Sequence, residues 1–367
     1  SWSGLLATIQ VDTFNDLVDG GDTSSIDNLK ATPGSDGISL REAIIAANND
    51  AGQADTIELL AGTYTLEIAG ADEDASATGD LDILDPLTIT GAGADQTTID
   101  GASLDRVFQV IASSAFDVTI SDLKIQNGLV DNRGAGIHIG NAPAAPTVTL
   151  SNVWFSGNHT TGTSDYGGAI FNRGDLTIED SLIEGNSSEA GGGVMNYLDG
   201  TLKMTNVTLS DNSATNGDGG GLHNSNVANL LNVTVANNSA SGDAGGIFNN
   251  DAVSAMTQLT NTLIADNSAG GSSDVEGAFV SSGNNLVESD SGSTGLTASD
   301  ITGSDPNLGV LKDNGGSTQN HALLAGSLAI NRGAAVGAPL LDQRGVARDD
   351  NLPDIGAYEV ANQADFS

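Results

Sequence analysis

The chain has 367 residues, no cysteine, and 11 Lys and Arg against 48 Asp and Glu, a formal net charge of −37. This charge argues against nucleic acid and anionic membranes as partners, and the lack of cysteine excludes a disulfide framework. No run approaches the roughly 18 apolar residues of a membrane span, so no direct membrane insertion is expected. The negative field attracts cations; bound calcium, a saline habitat or simple solubility would each account for it.

A strand and a capping helix are predicted in residues 1–54. Residues 39–48 form the one clear amphipathic pattern, with Ser39 as N-cap and Glu42 three residues later completing a capping box. We expect this helix to cover the first coil of the fold that follows. Residues 55–66 and 87–93 have the β-branched alternation of first strands.

An acidic loop lies between these two strand segments. Closely spaced carboxylates in a flexible loop suit calcium, which takes six to eight oxygen ligands. A solvated acidic loop without a metal is the alternative. The candidate ligands are Asp72, Glu73, Asp74, Asp80 and Asp82.

A Gly-rich, apolar, mostly Asn-ending motif recurs five times between residues 134 and 249. Its central apolar residues are 33, 24, 28 and 25 residues apart, a period that indicates a solenoid of stacked β-coils. The copies are GAGIHI (134–139), GGAIFN (167–172), GGGVMN (191–196), GGGLHN (219–224) and AGGIFN (244–249).

A second series of apolar residues, each followed three positions later by Asn, accompanies the motif. Equivalent side chains of successive coils should stack about 4.8 Å apart, so this series predicts one continuous interior row. About three short strands per coil are expected. The row consists of Phe155, Ile183, Leu209, Val235 and Ile264. We expect the motif asparagines to form a buried ladder; these are Asn172, Asn196, Asn224 and Asn249.

These patterns predict an all-β fold, a right-handed parallel β-helix with an N-terminal capping helix. Its coils are expected over residues 55–285. Residues 286–367 lose the repeat and predict an irregular C-terminal cap packed on the coils, the whole forming one structural domain. Arg332, Arg344 and Arg348 lie in this segment, placed to meet nearby acids.

Both ends of the chain resemble known families. Residues 36–48 with 55–66 are similar to the CSLREA element of secreted bacterial β-helix proteins, whose Cys is Ile38 here. Residues 305–308, 311–316, 321–330, 342–345 and 354–359 resemble the choice-of-anchor Q family. The central repeats resemble those of polymorphic membrane proteins, a group of adhesins. The resemblance implies a secreted or cell-surface bacterial protein with a pectin lyase-like fold, and it implies no particular activity.

The residue between the two inward positions of each Gly-rich strand should point outward. This outward column has two histidines and two aromatic rings, which would suit a sugar-binding groove. The alternative is a patch covered by the loops that precede each Gly run. The candidate ligand-binding residues are His138, Phe171, Met195, His223 and Phe248.

The leading function is therefore an extracellular scaffold or adhesin that contacts polysaccharide, surface glycans or other copies of a surface assembly, with calcium as a candidate stabiliser. The alternative is a polysaccharide lyase or glycoside hydrolase. A lyase needs a base and a group that neutralises the substrate carboxylate, for which Tyr166, Arg173 and His223 are the candidates. The few basic residues are scattered along the sequence, and a charge of −37 should repel an anionic substrate.

Overall fold

The computed structural model describes residues 7–70, 73–140, 145–250, 255–348 and 352–361. Within these ranges the chain forms the predicted all-β parallel β-helix, since its strands pair in parallel with their counterparts one coil away. Four strand positions recur along each full coil, which we name in chain order the Gly column, the second column, the third column and the fourth column. The first three were predicted from the sequence.

The Gly column begins in the first coils and runs through all five motif copies. Its strands are Leu81–Ile83, Phe108–Val110, Ile137–Ile139, Ile170–Asn172, Val194–Asn196, Leu222–Asn224, Ile247–Asn249 and the start of Val275–Ser281. The fourth column has two-residue strands, namely Leu129–Val130, His159–Thr160, Ser187–Ser188, Ser213–Ala214, Ser239–Ala240 and Ser268–Ala269.

The second and third columns share two long strands, Asp117–Gln126 and Thr147–Ser156. The other strands of the second column are Thr8–Val11, Asp55–Leu59, Leu87–Thr90, Asp175–Glu179, Thr201–Thr205, Val227–Leu231 and Met256–Thr260. The other strands of the third column are Gly62–Thr65, Thr97–Asp100, Leu182–Glu184, Thr208–Ser210, Thr234–Ala236, Leu263–Ala265, Leu286–Val287 and Ile301–Thr302. Ser293–Thr294 pairs with the strand Val275–Ser281.

The predicted interior row is confirmed. Its five residues pair directly in register from one coil to the next, and each is fully buried. They belong to one apolar core that extends from the first coil to Val287. Because equivalent side chains stack on one another, the repeat in the sequence becomes a continuous core along the axis.

Two buried asparagine ladders run beside this core. In the Gly column the amide Nδ2 of each motif Asn donates to Oδ1 of the next, over 2.8, 2.7 and 3.0 Å from Asn172 to Asn249. The turns before the fourth column carry a second ladder, from Asn158 to Asn267, with Nδ2–Oδ1 distances of 2.9–3.0 Å. The ladders satisfy amides that would otherwise be buried without partners.

The glycines of the motif allow the close approach of adjacent coils. A Cβ at Gly168 would lie 2.3 Å from the carbonyl oxygen of Gly192, and a Cβ at Gly220 would lie 2.4 Å from that of Gly245. No side chain fits at such distances. These two positions therefore require glycine.

At the N-terminal end, helices α1 (Ile26–Ala31) and α2 (Leu40–Asn49) pack on the first coil. α2 is the predicted helix, and its Ser39–Glu42 capping box is present; α1 was not predicted. The buried Arg41 binds Asp16, with its Nε 2.6 Å from Oδ1, and donates to the carbonyl oxygens of Ser76, Gly79 and Asp80. Among the described residues neither helix is long and apolar enough to cross a membrane.

The C-terminal region is irregular, as predicted, and it also runs back along the outer side of the third column. Its contacts there include Ser317 with Asn152, Gln343 with Thr208 and Ala357 with Thr234. Two of its three arginines form ion pairs within the region: Arg344 with Asp342 and Arg348 with Glu359, both at 2.6 Å. No ion pair involves Arg332 within the described part of the chain.

Candidate functional site

The outward column of the Gly-rich strands is in register, as expected from the alternation of the strand. His138 pairs with Phe171, Phe171 with Met195, Met195 with His223, and His223 with Phe248. Towards the N-terminal end it continues through Gln109 to Asp82. The column therefore changes from polar to aromatic along the axis.

The centre of this column is covered. Phe171 is fully buried and Met195 is 3% exposed, whereas His138 and Phe248 are half-buried. A ligand at the surface does not reach Phe171 or Met195, so of the two interpretations that the sequence left open, the covered one applies at the centre of the column. The cause is a set of half-buried side chains from neighbouring turns, two of which, Arg133 and Tyr197, lie against Phe171.

Those covering side chains form what we name the Arg–Tyr cluster: Arg133, Tyr166, Arg173 and Tyr197. The rings of Tyr166 and Tyr197 are stacked, with centroids 6.4 Å apart. The guanidinium carbon of Arg133 lies 5.7 Å from each of these ring centroids and 5.1 Å from that of Phe171. The guanidinium carbon of Arg173 lies 5.9 Å from the ring centroid of Tyr197, and Arg173 also forms an ion pair with Asp199. These are cation–π distances.

Three arginines converge on His138. Nη1 of Arg106 lies 3.0 Å from its Nδ1, and its ring meets Phe171 edge to face at 5.1 Å. Burial, with the charges of Arg106, Arg133 and Arg173, lowers the pKa of His138 to about 3. Its imidazole is thus neutral, and Nδ1 accepts from Arg106. The basic residues are scattered along the sequence, but the fold gathers these three arginines at this face.

A polar pocket of about 160 Å³ opens beside His138. Within it Nε of Arg106 lies 3.1 Å from Oδ2 of Asp80, and Gln109 donates to Oδ1 of Asp74 over 3.3 Å. We name it the acidic pocket. Its lining residues are Glu73, Asp74, Asp80, Asp105, Arg106, Gln109, Asn132 and His138.

Two carboxyl groups of this region have strongly raised pKa values. Burial raises the pKa of Asp80 to about 8, against the opposing charge of Arg106 and with help from Asp82 and Asp105. Burial also raises the pKa of Asp82 to about 7, although its carboxylate accepts from the Ser76 amide over 2.8 Å. A buried carboxyl beside other acids can therefore donate a proton here.

Three of the predicted calcium ligands, Glu73, Asp74 and Asp80, line the acidic pocket, but the described ones do not form a group that could hold a metal ion. Asp72 lies outside the described residues. Glu73 accepts from the backbone amides of Ala75 (3.0 Å) and Thr78 (2.7 Å), so it holds the loop itself. Among the described residues no three His, Asp or Glu side chains form a group that could hold a metal ion. Calcium stays a prediction.

The three predicted lyase residues are only partly brought together. Tyr166 and Arg173 both lie near the ring of Tyr197 in the cluster. His223 lies two coils beyond Phe171, about 10 Å along the axis. It is 9% exposed and packs on Phe248 with ring centroids 4.8 Å apart. Burial lowers the pKa of His223 to about 4, against the charge of Asp218. A neutral, enclosed imidazole is poorly placed to serve the cluster.

Sequence reasoning missed Arg106, Gln109, Arg133 and Tyr197. A signal was present for two of them: Arg133 directly precedes a Gly run, and Tyr197 follows a motif Asn at the position equivalent to that of Arg173. The residues that border a repeat strand lie at the corners of the coil. Their side chains can therefore fold back over the outward column.

A larger groove, of about 490 Å³, lies along the second column beside Val336 and Gly337. Among the described residues that line it, one is charged, Lys203, whose Nζ lies 3.8 Å from Glu179. None of these described lining residues has an aromatic ring. Its chemistry is less specific than that of the Arg–Tyr cluster.

Residues 88–263, slightly less than half of the chain, match the family model described as a right handed beta helix region. This match agrees with the strand pairings and gives the fold its hand. A solved structure of a pectate lyase, Pel9A, is similar at 16% identity and a TM-score of 0.42, over 97% of this chain and 98% of that chain. No curated protein sequence matches the chain.

Proposed function

We propose that this protein is an extracellular or cell-surface β-helical scaffold that contacts glycans through the Arg–Tyr cluster. The stacked, half-buried rings of Tyr166 and Tyr197 carry this proposal. Aromatic faces give sugars a large apolar contact, while the phenolic hydroxyl groups can bond to sugar hydroxyl groups. The β-helix holds the rings on a rigid base.

The remaining features of the chain support a scaffold. The apolar repeats are used in the core, and the motif asparagines are used in the ladders. The secreted or surface location, and the relation to CSLREA-type, choice-of-anchor Q-type and adhesin proteins, are part of the proposal and draw on the resemblance of the terminal and repeat segments.

Replacing Tyr197 by Ala tests the proposal. We expect glycan binding on an immobilised polysaccharide panel to weaken about tenfold, the loss of roughly 1.4 kcal/mol. Trp154→Ala is the matched control, because Lys124 Nζ lies 4.0 Å from the Trp154 ring on the third column. Unchanged binding in both Tyr197→Ala and Tyr166→Ala, or loss in the control instead, would refute the assignment to this cluster.

Cleavage of a polysaccharide in the acidic pocket is the second candidate. The observation that favours it is Asp80, whose pKa is raised to about 8 beside the acids Asp74 and Asp105. A protonated carboxyl and a carboxylate are the two groups that glycoside hydrolysis needs. The surface groups of a lyase would instead be Tyr166 and Arg173.

Product analysis separates the candidates. Incubation with a polysaccharide panel should yield new reducing ends if the pocket hydrolyses, and unsaturated products if the cluster acts as a lyase. Asp80→Asn should abolish hydrolysis, and Tyr166→Phe should abolish elimination. Binding without either product supports the scaffold alone.

A further inference from the structure

We propose that Arg133 binds an anionic group, a carboxylate or a sulfate ester, on the sugar that the cluster contacts, so that the ligand is an acidic glycan. The inference rests on the proposed function and names the ligand class for the same site. The observation behind it is the guanidinium of Arg133, which has aromatic neighbours and, among the residues that the structure describes, no acidic partner.

Arg133 differs from the other arginines of this face. Arg106 is paired with Asp80 and Arg173 with Asp199, whereas no carboxylate oxygen in the described part of the chain lies within 4.0 Å of the Arg133 guanidinium nitrogens. The protein has 48 acidic residues against 11 basic ones. In such a protein an arginine without an ion pair is notable, because acids are abundant everywhere.

The nearest acids are engaged elsewhere. Asp165 is close enough for the charge of Arg133 to act on its pKa, but its carboxylate accepts from the backbone amide of Gly162. Glu189 likewise accepts from the backbone amide of Ser164. These bonds hold the loop before the Gly run, and neither carboxylate forms an ion pair with Arg133.

The surroundings favour an incoming anion. The three rings under Arg133 hold its guanidinium in place, and its planar set of N–H donors fits a carboxylate or sulfate in a bidentate way. A sugar resting on Tyr166 or Tyr197 would place a ring substituent beside this guanidinium. The local positive site also offsets the repulsion that the net charge of −37 imposes on an acidic polymer.

Calorimetric titration with oligogalacturonate, its fully methyl-esterified form and a sulfated oligosaccharide tests this proposal. EDTA is included so that cations do not bridge ligand and protein. We expect the wild-type protein to bind at least one of the two anionic ligands about tenfold more tightly than the neutral ester. The preference should disappear in Arg133→Gln and persist in part in Arg133→Lys.

Lys124→Gln is the matched control, because it removes the same charge from another cation held over an aromatic ring; it should keep the preference. If acid and ester bind equally to the wild type, the inference fails while the proposed function stands. If none of the ligands binds, the proposed function is also lost. Circular dichroism verifies that each variant is folded. If Arg133→Gln does not fold, the proposal is tested by Arg133→Lys and by the comparison of acid and ester binding to the wild type.

Discussion

Asn212 shows how much one side chain contributes to this fold. Its Nδ2 donates to Oδ1 of Asn238 and to the carbonyl of Ile183, both over 2.9 Å. Its Oδ1 accepts from the amide and from Nδ2 of Asn186, over 3.1 and 2.9 Å. Every hydrogen-bonding position of the buried amide is therefore used, by the two neighbouring ladder residues Asn186 and Asn238 and by the carbonyl of Ile183.

Asn212→Ala should lower the free energy of unfolding by about 2–4 kcal/mol, because it leaves several buried polar groups unsatisfied. Urea denaturation followed by circular dichroism measures the loss. Asn216→Ala is the matched control, since Asn216 is exposed and its amide lies 3.5 Å from Glu189; it should change the stability by less than about 0.5 kcal/mol. Equal stability of the two variants would contradict the role given to the ladder.

At the scale of the element, the loop before the strand Leu81–Ile83 and the strand itself bring a buried cation, Arg41, close to two buried acids, Asp80 and Asp82. Arg41 of α2 binds the carbonyls of this loop, and Arg106 pairs with Asp80. This gives a physical reason for the Arg of the SLREA segment: it fastens the capping helix to the first coil. The loop also carries the raised pKa values of Asp80 and Asp82.

Stability should therefore fall as the pH rises, most steeply from about 6.5 to about 8, because below about 6.5 the lowered pKa values of His138 and His223 oppose the trend. The native pKa values of Asp80 and Asp82, about 8 and 7, lie above those of the unfolded chain, so the native state binds more protons in this range. Urea unfolding at a series of pH values measures the slope. Asp82→Asn should reduce the slope and stabilise the protein at pH above about 8, where the native carboxyl is ionised.

Asp117→Asn serves as the control, because Asp117 is exposed at the start of its strand. The slope should persist in part in Asp82→Asn, since burial also raises the pKa of Glu359 to about 7 and that of Asp274 to about 6. A stability that increases from about pH 6.5 to about pH 8 would show that the acids are not buried in this way.

The coils could be predicted from the sequence because stacking places like residues on like. Leu209 contacts Ile183 and Val235 whatever the turns between them do. The Arg–Tyr cluster could not be predicted in the same way. Arg133 and Tyr197 meet across two coils through side chains at corners, where motif spacings of 33, 24, 28 and 25 residues give turns of unequal length.

The path of the C-terminal region along the coils also could not be predicted from the sequence. Gln343 reaches Thr208, and Ser317 reaches Asn152, through single hydrogen bonds between side chains 135 and 165 residues apart. Without a period, nothing in the sequence fixes which coil each of these residues meets. The predicted ion pairs of Arg344 and Arg348 were accessible because their acids lie 2 and 11 residues away.

At the scale of the whole molecule, the net charge of −37 opposes the compact state through self-repulsion. The melting temperature should rise as NaCl increases from about 0.01 M to about 1 M, over which the Debye length falls from about 30 Å to about 3 Å. Differential scanning calorimetry measures this. No change, or a fall, would mean that the acidic surface does not limit stability.

The melting temperature also tests whether the acidic loop binds calcium. CaCl₂ at matched ionic strength should raise the melting temperature beyond NaCl and MgCl₂ if the loop around Asp74 and Asp80 binds calcium, and Asp74→Asn should remove the excess. Equal curves for the three salts would contradict the predicted site. Asp117→Asn again provides the control for the loss of one negative charge.

The turn ladder ends at Asp274, whose Oδ1 accepts from Nδ2 of Asn267 over 2.8 Å. An ionised carboxylate cannot donate a hydrogen bond, so the series of amide donors ends at Asp274. One more coil, gained by duplication, could be inserted anywhere between Asn158 and Asn267, and every amide of the ladder would still have its hydrogen-bond partners. Beyond Asp274 an added Asn would find no amide donor, so this ladder cannot be extended at that end, although the third column continues to Ile301–Thr302.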